Sequence, residues 1–358
     1  MDGNSYALSA RHAVVVATGS APNVPPIEGL ADVEYWTTRE ATSAREIPAR
    51  LAVLGGGVAG TELAQAYARL GAAVTLVARG ALLGMFPAEA AQLVAAGLRA
   101  DGVELHLHTG TTSVGENDDG SLTLVLDGGG TVTADKLLVT TGRHPALEGI
   151  GLESVGLAAA DGKSLLLGTD STGLVAGTGA GTPDDDGPWL YAVGDAAGKV
   201  MLTHQGKYEA RATGDAIAAR ARGELHGEPA PWSRYAQTAD DHAVPNVVFT
   251  DPELANVGRS VQQAEKDGFR VSSVELPIQV AGSSLHAEHY AGWAQLVIDE
   301  DRKVLLGATF AGPDVAELLH AATIAVVGEV PLDRLWHAVP SYPTISEVWL
   351  RLLEEYGL

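Results

Sequence analysis

The sequence has 358 residues, of which 46% are apolar, and at about 150 residues per domain it predicts two to three domains with sizeable cores. Its 45 acidic and 23 basic residues give a formal net charge of −22, which disfavours nucleic acid and anionic membrane surfaces as partners. No apolar run is long enough to span a bilayer and the first residues lack a secretory signal, so we expect a cytoplasmic protein. The absence of cysteine excludes disulfides, thiolate nucleophiles and Cys-ligated zinc from these 358 residues.

The first predicted element is a short buried strand. His12–Ala17 is an apolar, β-branched run, and Thr18-Gly19-Ser20, followed by three prolines, closes it as a loop. We therefore predict a domain boundary soon after this strand.

The strongest local pattern is a βαβ unit that begins at Arg50. A strand over Leu51–Leu54 leads into the glycines Gly55–Gly57, a helix continues to about Leu70, and a second strand covers Val74–Val77. This order predicts a nucleotide-binding fold.

The turn of this unit, Gly55-Gly56-Gly57-Val58-Ala59-Gly60, satisfies G-x-G-x-x-G. Gly55 permits the tight turn, Gly57 lets the backbone approach a pyrophosphate, and Gly60 lets the helix pack closely on the strand. A bare structural turn is the alternative, but the strand before the glycines and the helix after them favour a dinucleotide site.

The end of the second strand predicts the type of nicotinamide cofactor. An NAD site usually carries an acid there for the ribose 2′-hydroxyl, whereas this sequence has Ala78 and Arg79. A guanidinium without a nearby carboxylate favours a 2′-phosphate, so we predict NADP(H) in preference to NAD(H). The alternative is that Arg79 is a solvated charge, because no second arginine follows in Gly80–Ala88.

Two further buried strands end in polar motifs. Lys136–Thr141 runs into Gly142-Arg143, and Trp189–Val193 runs into Gly194-Asp195. Between them, Gly177–Pro188 is rich in Gly, Pro and Asp and is predicted to be an exposed loop.

The C-terminal part has a different pattern of predicted secondary structure. Residues 223–242 are typical of a linker, and Trp293–Asp299 with Lys303–Phe310 predicts an antiparallel pair of strands, followed by three helical stretches. This is an α+β arrangement. Three capping boxes are predicted, at Ser260 with Gln263, Asp314 with Glu317, and Thr344 with Glu347.

Five motifs in one order then identify a family resemblance. They are Ala17-Thr18-Gly19-Ser20, the glycine turn with Glu62, Thr141-Gly142-Arg143-His144-Pro145, Tyr191-Ala192-Val193-Gly194-Asp195 and Phe249-Thr250-Asp251-Pro252-Glu253. Together they resemble the pyridine nucleotide-disulfide oxidoreductases, which include dihydrolipoamide dehydrogenase, glutathione reductase and mercuric reductase. The resemblance implies a flavoprotein that passes electrons from a nicotinamide to FAD and on to an acceptor, and that works as a homodimer.

The implied fold class is α/β, with Rossmann-like FAD- and NAD(P)-binding domains followed by an α+β dimerisation domain. The resemblance assigns residues 1–45 to a remnant of the FAD-binding domain, 46–140 to the NAD(P)-binding domain, 141–230 to a second FAD-binding part, and 243–358 to the dimerisation domain. Family members carry a further G-x-G-x-x-G and a cysteine pair in an N-terminal FAD unit, and this sequence has neither. We therefore expect a sequence that starts within the FAD domain and a weak or incomplete FAD site.

The resemblance also implies roles for individual residues. Gly194 and Asp195 would contact the flavin ribityl chain, and a helix from Leu202-Thr203-His204 to about Ala219 would point its N-terminus at the flavin. Glu62 is similar to a family acid near the nicotinamide, with a first-turn helix acid as the alternative. The other cofactor-binding candidates are Thr18, Gly19, Gly142 and Arg143.

The family's C-terminal base is altered. Disulfide reductases of this family resemble one another in a His-Pro-Thr followed by an acid, and here Tyr342 stands in place of that histidine. A tyrosine with a pKa near 10 is a poor base at neutral pH. His337 is a substitute candidate, although an interface histidine is the favoured interpretation, and Glu347 is read as a capping-box residue rather than a histidine orienter.

These observations predict an NAD(P)H-dependent flavin oxidoreductase that reduces a small non-disulfide acceptor such as a quinone. The alternative is a non-catalytic, nicotinamide-binding dimer. The His106/His108 and His286/His289 pairs, on one strand face and at helical spacing respectively, lack a third convergent ligand, so no metal site is expected.

Overall fold

A computed structural model describes residues 6–159, 164–178 and 187–358. The chain divides into two compact units, one formed by Met1–Ala21 with Arg143–Asp241 and the other by Pro22–Gly142 with His242–Leu358. Most of the predicted loop Gly177–Pro188 lies outside the described residues.

The helices of the described residues are of very different lengths. In chain order they are α1 (Thr38–Ser43), α2 (Val58–Arg69), α3 (Ala88–Ala100), α4 (Thr203–Ala221), α5 (Ala239–His242), α6 (Val261–Lys266), α7 (Ala316–Val327), α8 (Leu332–Leu335) and α9 (Glu347–Tyr356). Short 3₁₀ turns occur at Leu30–Asp32, Leu152–Val155, Gly194–Ala197 and Ser283–Leu285. Every helix of the described part of the chain is too short or too polar to cross a membrane.

Within the described ranges the strands form five sheets of two to five strands. In chain order they are β1 (Val14–Val16), β2 (Ser20–Pro22), β3 (Arg50–Leu54), β4 (Ala73–Ala78), β5 (Glu104–Leu107), β6 (Thr111–Glu116), β7 (Leu122–Leu126), β8 (Thr131–Ala134), β9 (Lys136–Val139), β10 (Arg143–Pro145), β11 (Leu190–Ala192), β12 (Pro245–Val248), β13 (Glu253–Gly258), β14 (Val271–Pro277), β15 (Trp293–Asp299) and β16 (Val304–Gly312). Seven of these strands had predicted bounds, which agree with the structure to within one or two residues: β1, β3, β4, β9, β11, β15 and β16.

In the second unit, the βαβ pattern forms a parallel sheet in the order β5-β4-β3-β9. Leu51 and Val53 face one side of β3, in a core with the apolar faces of α2 and α3, while Ala52 and Leu54 face the other side. Both faces of β3 are therefore buried, which explains its continuous apolar run. The antiparallel sheet β6-β7-β8 packs on the second face.

The C-terminal sheet of the same unit is antiparallel, in the order β12-β13-β16-β15-β14, and α7 lies against β13 and β16. Strand β16 is buried along its whole length. The α/β fold followed by an α+β domain is thus confirmed.

None of the three predicted capping boxes forms with both of its hydrogen bonds. At Ser260 only the first bond forms, because the Gln263 side chain donates to Asp267 at 2.6 Å instead. Ser260 accepts a hydrogen bond from the Gln263 amide at 3.1 Å, as predicted. Asp314, however, has a φ of 58° and pairs with His286, so α7 begins without a side-chain cap. Thr344 donates its hydroxyl to the Ser341 carbonyl instead of capping α9. In both cases another partner competes successfully for the capping side chain.

In the first unit, β1 pairs in parallel with β11, and β2 pairs with β10. Val16, Leu190 and Ala192 form part of its core, and Leu147, Leu152 and Leu167 belong to the same cluster. The strand β11 runs directly into the 3₁₀ turn Gly194–Ala197, and α4 follows.

Candidate cofactor sites

The three glycines of the turn between β3 and α2 differ in the space around them. A side chain at Gly55 or Gly60 would clash with the backbone (closed positions), whereas one at Gly57 would not (an open position). A Cβ on Gly55, whose φ is 118°, would lie 2.6 Å from the Thr140 carbonyl oxygen, and one on Gly60 would lie 2.2 Å from the Gly55 carbonyl oxygen. A Cβ on Gly57 would meet nothing within 4 Å. Gly57 is the N-cap residue of α2, and no side chain caps this helix, so the first-turn N–H groups receive no side-chain acceptor there.

Thr140 is a part of this turn that sequence reasoning missed. Its hydroxyl donates to the Leu54 carbonyl at 2.9 Å, and its backbone closes on Gly55. The signal was present as the first threonine of the Thr-Thr-Gly that follows β9. Because β9 is the parallel neighbour of β3, the ends of both strands meet at the glycine turn.

Arg79 follows the last residue of β4 and is exposed. Within the described residues it forms no ion pair, so its guanidinium is available to a ligand. Because β4 is the parallel neighbour of β3, Arg79 lies at the same edge of the sheet as the glycine turn.

Glu62 is held by the C-terminal part of the second unit. Its carboxylate accepts a hydrogen bond from the Phe249 amide at 2.8 Å, and burial raises the pKa of Glu62 above its usual range. The first turn of α2 contains no acid, because the helix begins at Val58. The alternative interpretation of Glu62 as a first-turn acid is therefore wrong.

Close to Glu62, the buried Gln65 joins helix α2 to the segment before β13. The Gln65 amide donates to the Asp251 carbonyl and accepts from the Asp251 amide, both at 2.8 Å. Arg69 bridges Asp101 and Asp251 at 2.8 and 2.7 Å. These contacts fix the segment that supplies the Phe249 amide to Glu62.

In the first unit, three residues from separate segments form a polar chain. Arg143 donates to the Ser20 hydroxyl at 2.7 Å and to the Ser20 carbonyl at 2.8 Å, and the Ser20 hydroxyl donates to Asp195. Arg143 and Asp195 were predicted cofactor-binding residues, whereas no role of its own was predicted for Ser20. Gly19, with a φ of 78°, accepts from the Ala146 amide and so sets the position of Ser20, while Thr18 is exposed.

The helix α4 begins at Thr203, with Leu202 as its N-cap residue and no side-chain cap. Thr203 and His204 are exposed. Two turns into the helix, Glu209 is fully buried and accepts from the Gly194 amide at 2.5 Å. Glu209 is a second residue that sequence reasoning missed.

Gly142 completes the candidates. It has a φ of 119°, and its carbonyl accepts from the Asn23 amide at 2.9 Å. The positive φ of Gly142 favours glycine at this position, because L side chains rarely adopt that backbone conformation.

Sequence profiles of known families match both parts of the chain. The profile described as pyridine nucleotide-disulphide oxidoreductase matches residues 2–210, and the dimerisation-domain profile of the same family matches residues 244–352. The chain belongs to the pyridine nucleotide-disulfide oxidoreductase family.

Individual relatives agree with this assignment. A mercuric reductase of Acidithiobacillus ferrooxidans is 35% identical over 333 residues, which are 93% of this chain and 56% of the relative. A dihydrolipoyl dehydrogenase of Haloferax volcanii is 30% identical over 345 residues, 95% of this chain and 67% of the relative. The chain thus spans about half the length of the mercuric reductases it matches.

Solved structures show the same fold. The HOCl-induced flavoprotein disulfide reductase RclA of Escherichia coli superposes with a TM-score of 0.76 at 23% identity, over 95% of this chain and 72% of RclA. LpdA of Mycobacterium tuberculosis superposes with a TM-score of 0.75 at 24% identity, over 97% of this chain and 70% of LpdA.

The C-terminal candidates Tyr342 and His337 lie between α8 and α9, and Glu347 is the first residue of α9. Tyr342 is 79% exposed, and His337 is exposed at the end of the α8 turn. Glu347 pairs with Arg351 at 2.7 Å within α9, so it is not a capping-box residue. Among the described residues of the second unit, no hydrogen bond or ion pair joins Tyr342, His337 and Glu347 to one another.

Four aromatic residues of the C-terminal part, Trp336, Tyr342, Trp349 and Tyr356, divide into two pairs by their surroundings. Trp336 and Tyr342 are 38% and 79% exposed. Trp349 packs on Phe310 with ring centroids 5.6 Å apart, and the Tyr356 hydroxyl accepts from Lys303 at 2.6 Å. The second pair therefore stabilises its own domain.

The histidine pairs have other partners. His106 contacts Glu104 at 2.8 Å on β5, whereas His108 lies beyond the strand with a φ of 54°. His286 ends a 3₁₀ turn and pairs with Asp314, and His289 has a φ of 55°. The expectations of a shared strand face and of helical spacing are therefore wrong.

Proposed function

We propose that the protein is an FAD- and NAD(P)H-dependent oxidoreductase that delivers electrons to a small non-disulfide acceptor such as a quinone, and that it acts as a homodimer. The observation that carries the proposal is the open Gly57 position between the closed positions Gly55 and Gly60. This arrangement fits a pyrophosphate approaching the N-terminus of α2. A cytoplasmic location and the four domain boundaries stay predictions.

The nicotinamide would be held by the second unit. Gly55, Gly57 and Gly60 would receive the pyrophosphate, and Arg79 would reach the ribose. Glu62 would lie near the nicotinamide ring, with its carboxylate already oriented by the Phe249 amide. When bound, the nicotinamide supplies a hydride, and the protein residues bind and orient it.

The flavin would be held by the first unit. Asp195, oriented by Ser20, would accept a hydrogen bond from the ribityl chain, and Arg143 would stabilise Ser20 from the other side. Leu202, Thr203 and His204 at the uncapped start of α4 would face the flavin ring, where the positive end of a helix stabilises a reduced flavin. Thr18, Gly19 and Gly142 would shape the backbone around the cofactor.

The acceptor follows from the chemistry that these 358 residues lack. Attack on a disulfide requires a thiolate and a base, whereas the sequence has no cysteine and has the exposed Tyr342 at the family's base position. Two relatives are named mercuric reductases. Mercuric ion is a soft cation that prefers thiolate ligands, and these 358 residues contain no cysteine to supply them. A quinone accepts a hydride equivalent without a covalent step.

The decisive test is NADPH oxidation by the 358-residue chain with lipoamide, oxidised glutathione, mercuric ion or a quinone, each with and without added FAD. We expect turnover of the quinone only, and only with excess FAD, because the sequence has a single G-x-G-x-x-G. Turnover of either disulfide contradicts the proposed acceptor. NADPH binding without flavin absorbance or any turnover favours the alternative, a non-catalytic nicotinamide-binding dimer.

The cofactor preference has its own test. Arg79→Ala should weaken NADPH binding by about 1–3 kcal/mol, the usual contribution of a hydrogen bond to a charged group, and leave NADH binding nearly unchanged. Titration calorimetry with both cofactors measures the difference. Equal losses for NADPH and NADH refute the assignment of Arg79 to the 2′-phosphate.

Dimerisation is expected to reside in residues 243–358. Trp336 and Tyr342 expose apolar surface there, and such aromatic side chains often anchor interfaces. Sedimentation velocity at micromolar concentration should show a dimer, and Trp336→Ala should shift it toward monomer. Trp349→Ala should instead lower stability, because Trp349 packs against the buried Phe310. A wild-type monomer at this concentration counts against the dimer.

A further inference from the structure

The buried carboxyl of Glu209 lies directly beneath the turn that carries Asp195. Glu209 is 0% exposed, and its Oε2 accepts from the Gly194 amide, the first residue of the 3₁₀ turn Gly194–Ala197. Its Oε1 is buried and has no hydrogen-bond partner. A buried carboxyl with only one donor is unusual and points to a specific task for that contact.

The helix approaches the turn closely at this point. Gly206 lies on the same face of α4, three residues before Glu209. A Cβ on Gly206 would lie 3.0 Å from the Gly194 Cα, so no side chain separates the helix from the turn. The Gly194 amide bond to Glu209 is then the polar contact that fixes this backbone.

We propose that Glu209 is a positioning residue for the flavin: its carboxyl holds the Gly194 amide and thereby sets the backbone from which Asp195 reaches the ribityl chain. The inference rests on the proposed function, because it assumes that the first unit binds flavin. Ser20 orients the Asp195 side chain, whereas Glu209 fixes the Asp195 backbone from the opposite side.

The charge state of Glu209 is expected to affect both the Gly194 turn and the affinity for flavin. Burial raises the pKa of Glu209 to about 7, with a smaller opposing effect of the Gly194 amide. The charged groups that act on it are Asp240, Lys199 and Asp195. A single amide does not satisfy a buried carboxylate, so ionisation favours a hydrated, opened turn, and flavin affinity should fall as the pH rises through 7.

The test compares two substitutions of nearly equal size. Glu209→Gln keeps an acceptor for the Gly194 amide but does not ionise, whereas Glu209→Leu removes the acceptor. Asp215→Asn is the matched control, because it removes an acid from the same helix that pairs only with exposed Arg234. Hydrogen exchange of the Gly194 amide, expressed as a protection factor, reports the turn without any flavin, and FAD titration reports the function.

At pH 6 the glutamine variant should match the wild type in protection and FAD affinity, and the leucine variant should lose about tenfold in both, since an unpaired buried amide is costly. From pH 6 to pH 8 the wild type and the control should lose protection and affinity, whereas the glutamine variant should not.

Unchanged protection in the leucine variant overturns the proposal, as does identical pH dependence of FAD affinity in the wild type and the glutamine variant. If the wild type binds no FAD while the protection series follows expectation, the positioning of the turn by Glu209 is supported, and the proposed flavin function is the part that fails.

Discussion

Replacing Gly57 by valine is expected to weaken NADPH binding by about 100-fold or more, the result of losing about 3 kcal/mol of phosphate contacts at the start of α2. The branched side chain would occupy the space through which the pyrophosphate approaches the helix N-terminus. Gly57 has an ordinary φ of −81°, and a Cβ there meets no protein atom within 4 Å, so the variant should fold normally.

The choice of glycine decides what this experiment reports. Gly60→Val would place its Cβ 2.2 Å from the Gly55 carbonyl oxygen and would disturb the fold as well as the site. Gly115→Val is the matched control, because Gly115 lies on β6 and a Cβ there also meets nothing within 4 Å. Calorimetry should show normal NADPH affinity for the control. Normal affinity of the Gly57 variant would refute the site.

Glu209→Gln is expected to remove much of the pH dependence of stability between pH 5 and pH 8. Burial raises the pKa of Glu209 from 4.5 to about 7, so the folded protein binds a proton that the unfolded chain has released. The extra proton bound by the folded protein makes its full contribution to the free energy of unfolding below pH 4.5, and this contribution is lost as the pH rises to about 7. The shift corresponds to roughly 3 kcal/mol, because one unit of pKa is about 1.4 kcal/mol.

Urea denaturation measures the free energy of unfolding of the glutamine variant and of the wild type at pH 5 and at pH 8. From pH 5 to pH 8, the value for the variant minus that for the wild type should rise by up to about 3 kcal/mol. Asp240, whose pKa burial raises to about 6, contributes with the same sign but is present in both proteins. Asp215→Asn should follow the wild type, and a pH-independent difference would contradict the buried titration of Glu209.

Local chemistry explains what was predictable. The strand, glycine turn and helix of the βαβ unit depend on residues that are neighbours in sequence, so G-x-G-x-x-G and the apolar runs predicted them within one or two residues. The hairpin of β15 and β16 was predictable for the same reason, since a polar turn joins two strands of adjacent sequence.

The capping boxes show where local patterns fail. Ser260 caps α6 as its pattern predicts, but the similar spacing at Asp314 does not produce a cap. Asp314 is taken by His286, a residue 28 positions away, and the sequence pattern contains no information about that competitor.

The amino-acid sequence by itself therefore determined the fold class and the position of the glycine turn, because each depends on composition or on neighbouring residues. The tertiary structure alone decided how the candidate sites are supported. The Ser20 hydroxyl meets Asp195 and Arg143 across 175 and 123 residues, and Gln65 meets Asp251 across 186 residues. Such contacts form only when the sheets bring distant segments together, and no periodicity encodes them.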